Sequence, residues 1–233
     1  MPDARVSAPP ARLVGRASVG GGVFLLTFDV SPGASATYTH PGQYAEMTLG
    51  SDDGFFVIAS NVGAAKWEFL MRGGGGAADA LLAMPLGSDV TMSRALGEGF
   101  PCERADGRSL VVAVTGTGIA AARPIVAWRL ARAETAPTEV YVGVRNAEDV
   151  PLVDELTRWR AHGVRVTVCL SRSDPTAGEL ESGHYARGYV QDVIRARLAG
   201  ATRWLVFAVG ATGMVDGVRD VARELGGEVR TNY

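Results

Sequence analysis

Gly116, Thr117, Gly118 and Ile119 carry the clearest chemical signal in the chain. They lie where an apolar run, Leu110 to Val114, gives way to an alanine-rich segment of helical composition. The two glycines lack a Cβ, so the backbone can turn tightly and a phosphate can approach it closely. A helix starting at Ile119 would offer that phosphate unpaired N–H groups and the positive end of its dipole, and Thr117 adds a hydroxyl donor. The chemistry is anion binding, and the strand–turn–helix setting makes a dinucleotide the expected ligand. A glycine turn between strand and helix also occurs simply as a turn, so the four residues alone leave both readings open.

Other residues could serve the same ligand class. The run Gly73 to Gly76, followed by Ala77 and a helical segment, is either a second phosphate cradle or a flexible loop. Arg72 precedes it directly. Ser171 and Arg172 follow the strand-like run VRVTVCL, in the position where an α/β sheet recognises a ribose or its 2′-phosphate. An arginine and a hydroxyl favour the phosphate, hence NADP over NAD, although LSRSDPTAG also reads as a turn with a solvated arginine. Arg145 is a second cation for that edge, or a surface partner of Glu148 or Asp149. Cys102 and Cys169 are the only cysteines, too few for a four-cysteine iron–sulfur site, and the three histidines lack metal-ligand spacing.

These residues need a scaffold. In 233 residues, 47% hydrophobic and 21% charged, there is enough apolar material for one large or two small domains. A net charge of −2 gives no electrostatic case for nucleic acid or an anionic membrane. No apolar run is long enough to span a bilayer, the N-terminal segment lacks a signal-peptide core, and a cytoplasmic protein is expected. The first half reads as six short strands, at 13–19, 23–30, 44–49, 55–59, 67–72 and 90–93, with one helix at 77–84. That spacing suggests a small antiparallel barrel. In the second half, strand-like runs at 110–114, 139–144, 164–170, 204–210 and 228–231 alternate with helix-like runs, which implies a mostly parallel sheet.

In this order the motifs resemble the ferredoxin–NADP reductase superfamily. PGQY (41–44) is similar to its entry to a barrel strand, FFVIAS (55–60) to its flavin strand, and GGGG (73–76) to its flavin-pyrophosphate loop. GTGIAAARP (116–124) is similar to its NAD(P) loop, and VGATGM (209–214) stands where the family has CGPxxM. LGEGF (96–100), YVGVRNAEDV (141–150) and GYV (188–190) add smaller matches, and the details look most like a plant branch of fruit-protein-like oxidoreductases.

The resemblance implies two domains. A six-stranded antiparallel β-barrel over residues 1–106 would bind FAD, and an α/β domain with a five-stranded parallel sheet over 107–233 would bind NADP, or NAD. Hydride would pass from NAD(P)H to flavin, and electrons would leave to a separate acceptor: a redox protein, a quinone or another small molecule. Residue by residue, the match is uneven. The family's Arg-x-Tyr-Ser is here Gly54, Phe55, Phe56 and Val57, so FFVIA also reads as an apolar core strand. Phe56 keeps a ring that could stack, main-chain groups of Ile58, Ala59 and Ser60 would hold the flavin, and Arg72 would replace the missing cation. Gly74, Gly75, Gly76 and Ala77 would cradle its pyrophosphate. Val57 and Val209, in place of a serine and a cysteine, would flank the hydride-transfer axis. Gly210 would keep the close approach, beside Met214, and Tyr233 would cover the flavin face. Because the arginine, serine and cysteine are missing, a second reading stands beside the first: a nucleotide- or partner-binding module of the same fold without efficient redox chemistry.

Overall fold

A computed structural model describes residues 10–132, 135–200 and 203–232. The first sheet contains β1 (Pro10–Ser18), β2 (Val23–Asp29), β3 (Tyr44–Leu49), β4 (Asp52–Val57), β5 (Lys66–Arg72) and β6 (Asp89–Met92), all antiparallel, in the order β4-β3-β6-β1-β2-β5. Alternation sets the register. β2 and β5 pair from Val23↔Arg72 to Asp29↔Lys66, which turns Leu26, Phe28, Trp67 and Phe69 inward, all fully buried. The sheet curls shut where Ile58 bridges Phe69 and the Ala59 amide donates to the Glu68 carbonyl at 2.7 Å. A one-turn helix, α1 (Pro32–Ser35), follows β2, and α2 (Gly76–Ala83) packs over β4 with Leu81 buried in the barrel core.

The second half is a parallel sheet of β7 (Ser109–Thr115), β8 (Thr138–Val144), β9 (Arg165–Leu170), β10 (Tyr185–Arg187), β11 (Trp204–Val209) and β12 (Glu228–Thr231), in the order β10-β9-β8-β7-β11-β12. It has six strands where the sequence suggests five. The added β10 is only YAR, with no apolar run to announce it. Leu110, Val112 and Val114 of β7 face α3 (Ile119–Leu130) and α4 (Val153–Ala161). Val111 and Ala113 face α6 (Val190–Leu198) and α7 (Thr212–Leu225). A short helix, α5 (Ala177–Glu181), precedes β10. Sequential strands run outward from β7 through β8, β9 and β10, then the chain crosses to β11 on the other side, so a topological switch point lies between β7 and β11.

The halves are joined by apolar packing and by ion pairs, among them a cluster around Arg123. Phe100, which follows the barrel strands, stacks on Phe207 of β11 with centroids 4.6 Å apart. Val23, Ala59 and Leu70 belong to the same buried cluster as Val112 and Val114. Arg123 of α3 pairs with Glu68 of β5 at 2.7 Å and Glu155 of α4 at 3.0 Å, and donates to the Ala59 carbonyl at 3.2 Å. Among the described residues no helix is long and apolar enough to cross a membrane.

Candidate functional site

Three helix N-termini converge at the switch point. After β7, the turn Gly116–Gly118 leads into α3; after β10, Gly188 and Tyr189 lead into α6; after β11, Gly210 and Ala211 lead into α7. All three turns line one cleft of about 1060 Å³, whose opposite wall is Phe55, Phe56, Val57, Leu70 and Arg72 of the barrel. Each N-terminus brings donor N–H groups and a positive dipole end, so the cleft suits an anion. The two glycines of the first turn serve different ends. Gly116 has φ +55° with open space where a Cβ would stand, so it leaves room for a ligand. A Cβ on Gly118 would lie 2.7 Å from the Val209 carbonyl oxygen, so that glycine is required by the close packing of α3 on β11.

Cations gather at the rim. Arg72 donates to the Gly21 carbonyl at 2.5 Å and lines the cleft, as does exposed Arg145. Arg172 is exposed just beyond, and its amide donates to the Arg145 carbonyl at 2.8 Å. The Ser171 hydroxyl lines the cleft and donates to the Val144 carbonyl at 3.3 Å. Neither Arg145 nor Arg172 makes an ion pair among the described residues. Asp149 instead accepts from the Asn146 amide and side chain, both at 3.1 Å.

The cleft thus brings together Phe56, Val57, Arg72, Gly116, Thr117, Gly118, Arg145, Ser171, Val209, Gly210 and Met214. Val57, from the barrel, and Val209, at the end of β11, both line the cleft. Other expected site residues stand outside the cleft or are engaged within the protein. Ile58 and Ala59 are buried, and the main chain here is engaged within the protein. The Ile58 amide donates to Gln43 at 3.0 Å, and the Ser60 carbonyl accepts from the Tyr38 hydroxyl at 2.9 Å. With the Ala59 amide and carbonyl also used, this segment closes the barrel and has little left to hold a ring. Ile119 is fully buried and anchors α3, away from the ligand space. Gly74, Gly75, Gly76 and Ala77 lie outside the cleft lining. The amides of Gly74 and Gly75 donate to Asp79 at 3.0 and 2.8 Å. Tyr233 lies outside the described residues.

Two carboxamides escape the sequence reading. Asn232, 8% exposed, donates from Nδ2 to the Gly42 carbonyl at 3.1 Å, while its Oδ1, at the cleft wall, has no partner among the described residues. Gln191, its stem against Gly217, also has a buried Oε1 with no partner among the described residues. Gln191 directly follows GYV and could have been noticed there; nothing in the sequence marks Asn232. Cys169 lines the cleft as well, but burial pushes its thiol up to about 12, so it is neutral and no nucleophile. Among the described residues no group of His, Cys, Asp and Glu could hold a metal ion.

Residues 112–220 match the family model described as the oxidoreductase NAD-binding domain. The fruit protein pKIWI502 of Actinidia deliciosa is 28% identical over 179 residues, 70% of this chain and 55% of that protein. The ferredoxin–NAD(P)(+) reductase component of a Pseudomonas putida naphthalene 1,2-dioxygenase system is 29% identical over 140 residues, 60% of this chain and 41% of that one. The chain therefore spans about half the length of these relatives. Among solved structures, an Amycolatopsis cytochrome P450 reductase superposes with TM-score 0.80 at 21% identity, covering 96% of this chain and 68% of the other. A Neisseria gonorrhoeae ferredoxin–NADP+ reductase with bound FAD and NADP superposes with TM-score 0.73 at 15% identity, covering 98% and 100%. Over residues 112–220 the chain matches the oxidoreductase NAD-binding domain, and along its length it shares the fold of these solved reductases.

Proposed function

We propose that the chain is an NAD(P)H-dependent flavin oxidoreductase, with a flavin-binding barrel over residues 1–106 and a nucleotide-binding domain over 107–233. The observation that carries the proposal is the convergence of three helix N-termini at the β7/β11 switch point. In this reading Gly116, Thr117 and Gly118 hold the dinucleotide pyrophosphate. Ser171, Arg172 and Arg145 receive the 2′-phosphate, which favours NADP over NAD. The nicotinamide reaches the gap between Val57 and Val209, against Gly210 and Met214.

The residues fit a flavin ring on the barrel wall. Phe55, Phe56 and Val57 line it, an apolar surface on which exposed Phe55 is braced edge-on by Tyr44 at 5.7 Å. FAD, bound in the N. gonorrhoeae reductase of the same fold, would supply a two-electron hydride acceptor there. Val57 and Val209 exclude water and fix the approach of the two rings, but they donate no hydrogen bond. Losing such a donor lowers the rate by about 10²–10³ without abolishing transfer. Electrons then leave to a separate acceptor, a redox protein, a quinone or another small molecule. The second reading, a redox-degenerate binding module, is favoured by the absent arginine at Gly54.

The test is the visible spectrum of the protein purified without added flavin, and again after incubation with FAD and removal of free flavin, followed by NADPH under anaerobic conditions. Bands near roughly 370 and 450 nm that bleach support the reductase. Bands that persist point to a partner-bound electron relay that holds flavin without accepting hydride from NADPH, and no bands at all, even after FAD, support the binding module. In the same assay Arg172→Ala is expected to raise the Kd for NADPH and leave that for NADH unchanged; equal losses refute the 2′-phosphate assignment.

A further inference from the structure

We infer that Asp79 occupies the place of a flavin pyrophosphate, so that the barrel holds flavin by its ring and exchanges it, with no dedicated anchor for the phosphates. The inference rests on the flavin reading above and concerns how that flavin is retained.

The loop before α2 is made of four glycines, and the positive φ of Gly74, Gly75 and Gly76 turns it back over the helix N-terminus. This is anion-binding geometry, but its anion is part of the chain. Asp79, in the first turn of α2, accepts from the Gly74 amide through Oδ1 at 3.0 Å and from the Gly75 amide through Oδ2 at 2.8 Å. Both carboxylate oxygens are engaged, and a Cβ on Gly73 would touch Oδ1 at 2.9 Å. A diphosphate could reach these amides only by expelling a carboxylate that already makes two charge-assisted bonds.

A separate observation concerns the space and charge beside the loop. A Cβ on Gly54 would lie 2.9 Å from the Phe56 ring and 3.2 Å from Ala77, so the ring fills the place where a side chain from this position would run toward α2. β4 and α2 carry Asp52, Asp53 and Asp79 and no cation. Arg72, directly before the glycine loop, is turned to the Gly21 carbonyl. Phosphates on this loop would meet the Asp79 carboxylate, with the like charges of Asp52 and Asp53 on β4, whereas the uncharged ring would meet the apolar wall of Phe56 and Val57.

Asp79 is therefore a specificity-determining residue. Its charge removes the advantage that FAD and FMN would gain from their phosphates, and riboflavin, with no phosphate, is bound as well as either. The test is equilibrium binding of riboflavin, FMN and FAD, followed by flavin fluorescence, to the wild-type chain and to Asp79→Asn and Asp79→Ala. Wild type is expected to bind the three flavins with Kd values within a few-fold of one another. Both variants should bind FAD and FMN about tenfold more tightly, with riboflavin unchanged. If wild type prefers FAD strongly over riboflavin, or if Asp79→Asn and Asp79→Ala leave FAD affinity unchanged or weaker, the inference is overturned while the flavin reading stands. If none of the three flavins binds any of the proteins, the flavin reading falls and the inference with it.

Discussion

Arg123 is the side chain whose removal should do most to separate the two halves. Its guanidinium is forked between Glu68 and Glu155, with side-chain exposures of 17% for the arginine, 28% for Glu68 and 15% for Glu155. Burial alone would lower its pKa, but Glu155 and Glu68 outweigh burial and raise it, so the charge is firmly kept. Arg123→Ala strands two carboxylates and the Ala59 carbonyl in a region built to exclude water. Breaking a fully buried pair costs about 3–5 kcal/mol, and the partial exposure of Glu68 brings the expectation here to about 2–4 kcal/mol. For a chain of this size that lowers the melting midpoint by about 5–15 °C. Thermal unfolding followed by circular dichroism reads the shift. Adding Glu68→Gln and Glu155→Gln to Arg123→Met should restore most of it, because the cost lies mainly in the unpaired charges. A shift of under about 2 °C for Arg123→Ala would refute the reasoning, since a burial-protected cluster cannot be lost so cheaply.

Two further outcomes follow from packing and charge. Gly118→Ala forces a Cβ against the main chain of β11; it should cost about 1–3 kcal/mol and weaken NADPH binding, and an unchanged melting midpoint would contradict the close approach. Glu228 accepts from Arg108 at 2.9 Å and is also paired with Arg230 and Arg104; the Arg108 hydrogen bond first, helped by those neighbours, holds its carboxyl below the ordinary 4.5. The ionised form favours the fold, so its contribution is present above that value and lost as the pH falls through the lower folded one. The stability gap between wild type and Glu228→Gln should therefore close in acid; a gap that persists at about pH 2 would contradict it.

Much of the architecture was legible because period and punctuation agree. β7 is an unbroken apolar run because helices cover both its faces, and the barrel strands alternate because only one face is buried. β10 was hidden because YAR takes its place through main-chain pairing with β9 alone. At the site, glycines before helices marked the turns at 116–118 and 210, and Gly118 shows the limit of that signal. The sequence reads it as space for a phosphate, while the structure gives its reason as space for a carbonyl. Asp79 looked like an ordinary acidic residue in a first helical turn; only the fold reveals that it turns back onto Gly74 and Gly75. Asn232 reaches the cleft because the end of β12 docks against Gly42, a contact spanning the chain that no local pattern encodes.

The stacked pair of Phe100 and Phe207 has a consequence for how the molecule comes apart. Those rings belong to a single buried cluster that runs from Val23 and Leu70 of the barrel through β7 to Trp159 of α4. The barrel also keeps a core of its own around Leu26, Phe28, Trp67 and Phe69, but separating the lobes would expose the shared cluster on both sides, which raises the cost of either melting alone. Heating should give one cooperative transition, with the calorimetric and van't Hoff enthalpies in agreement, and the cleft between the lobes should keep its shape until the whole chain unfolds.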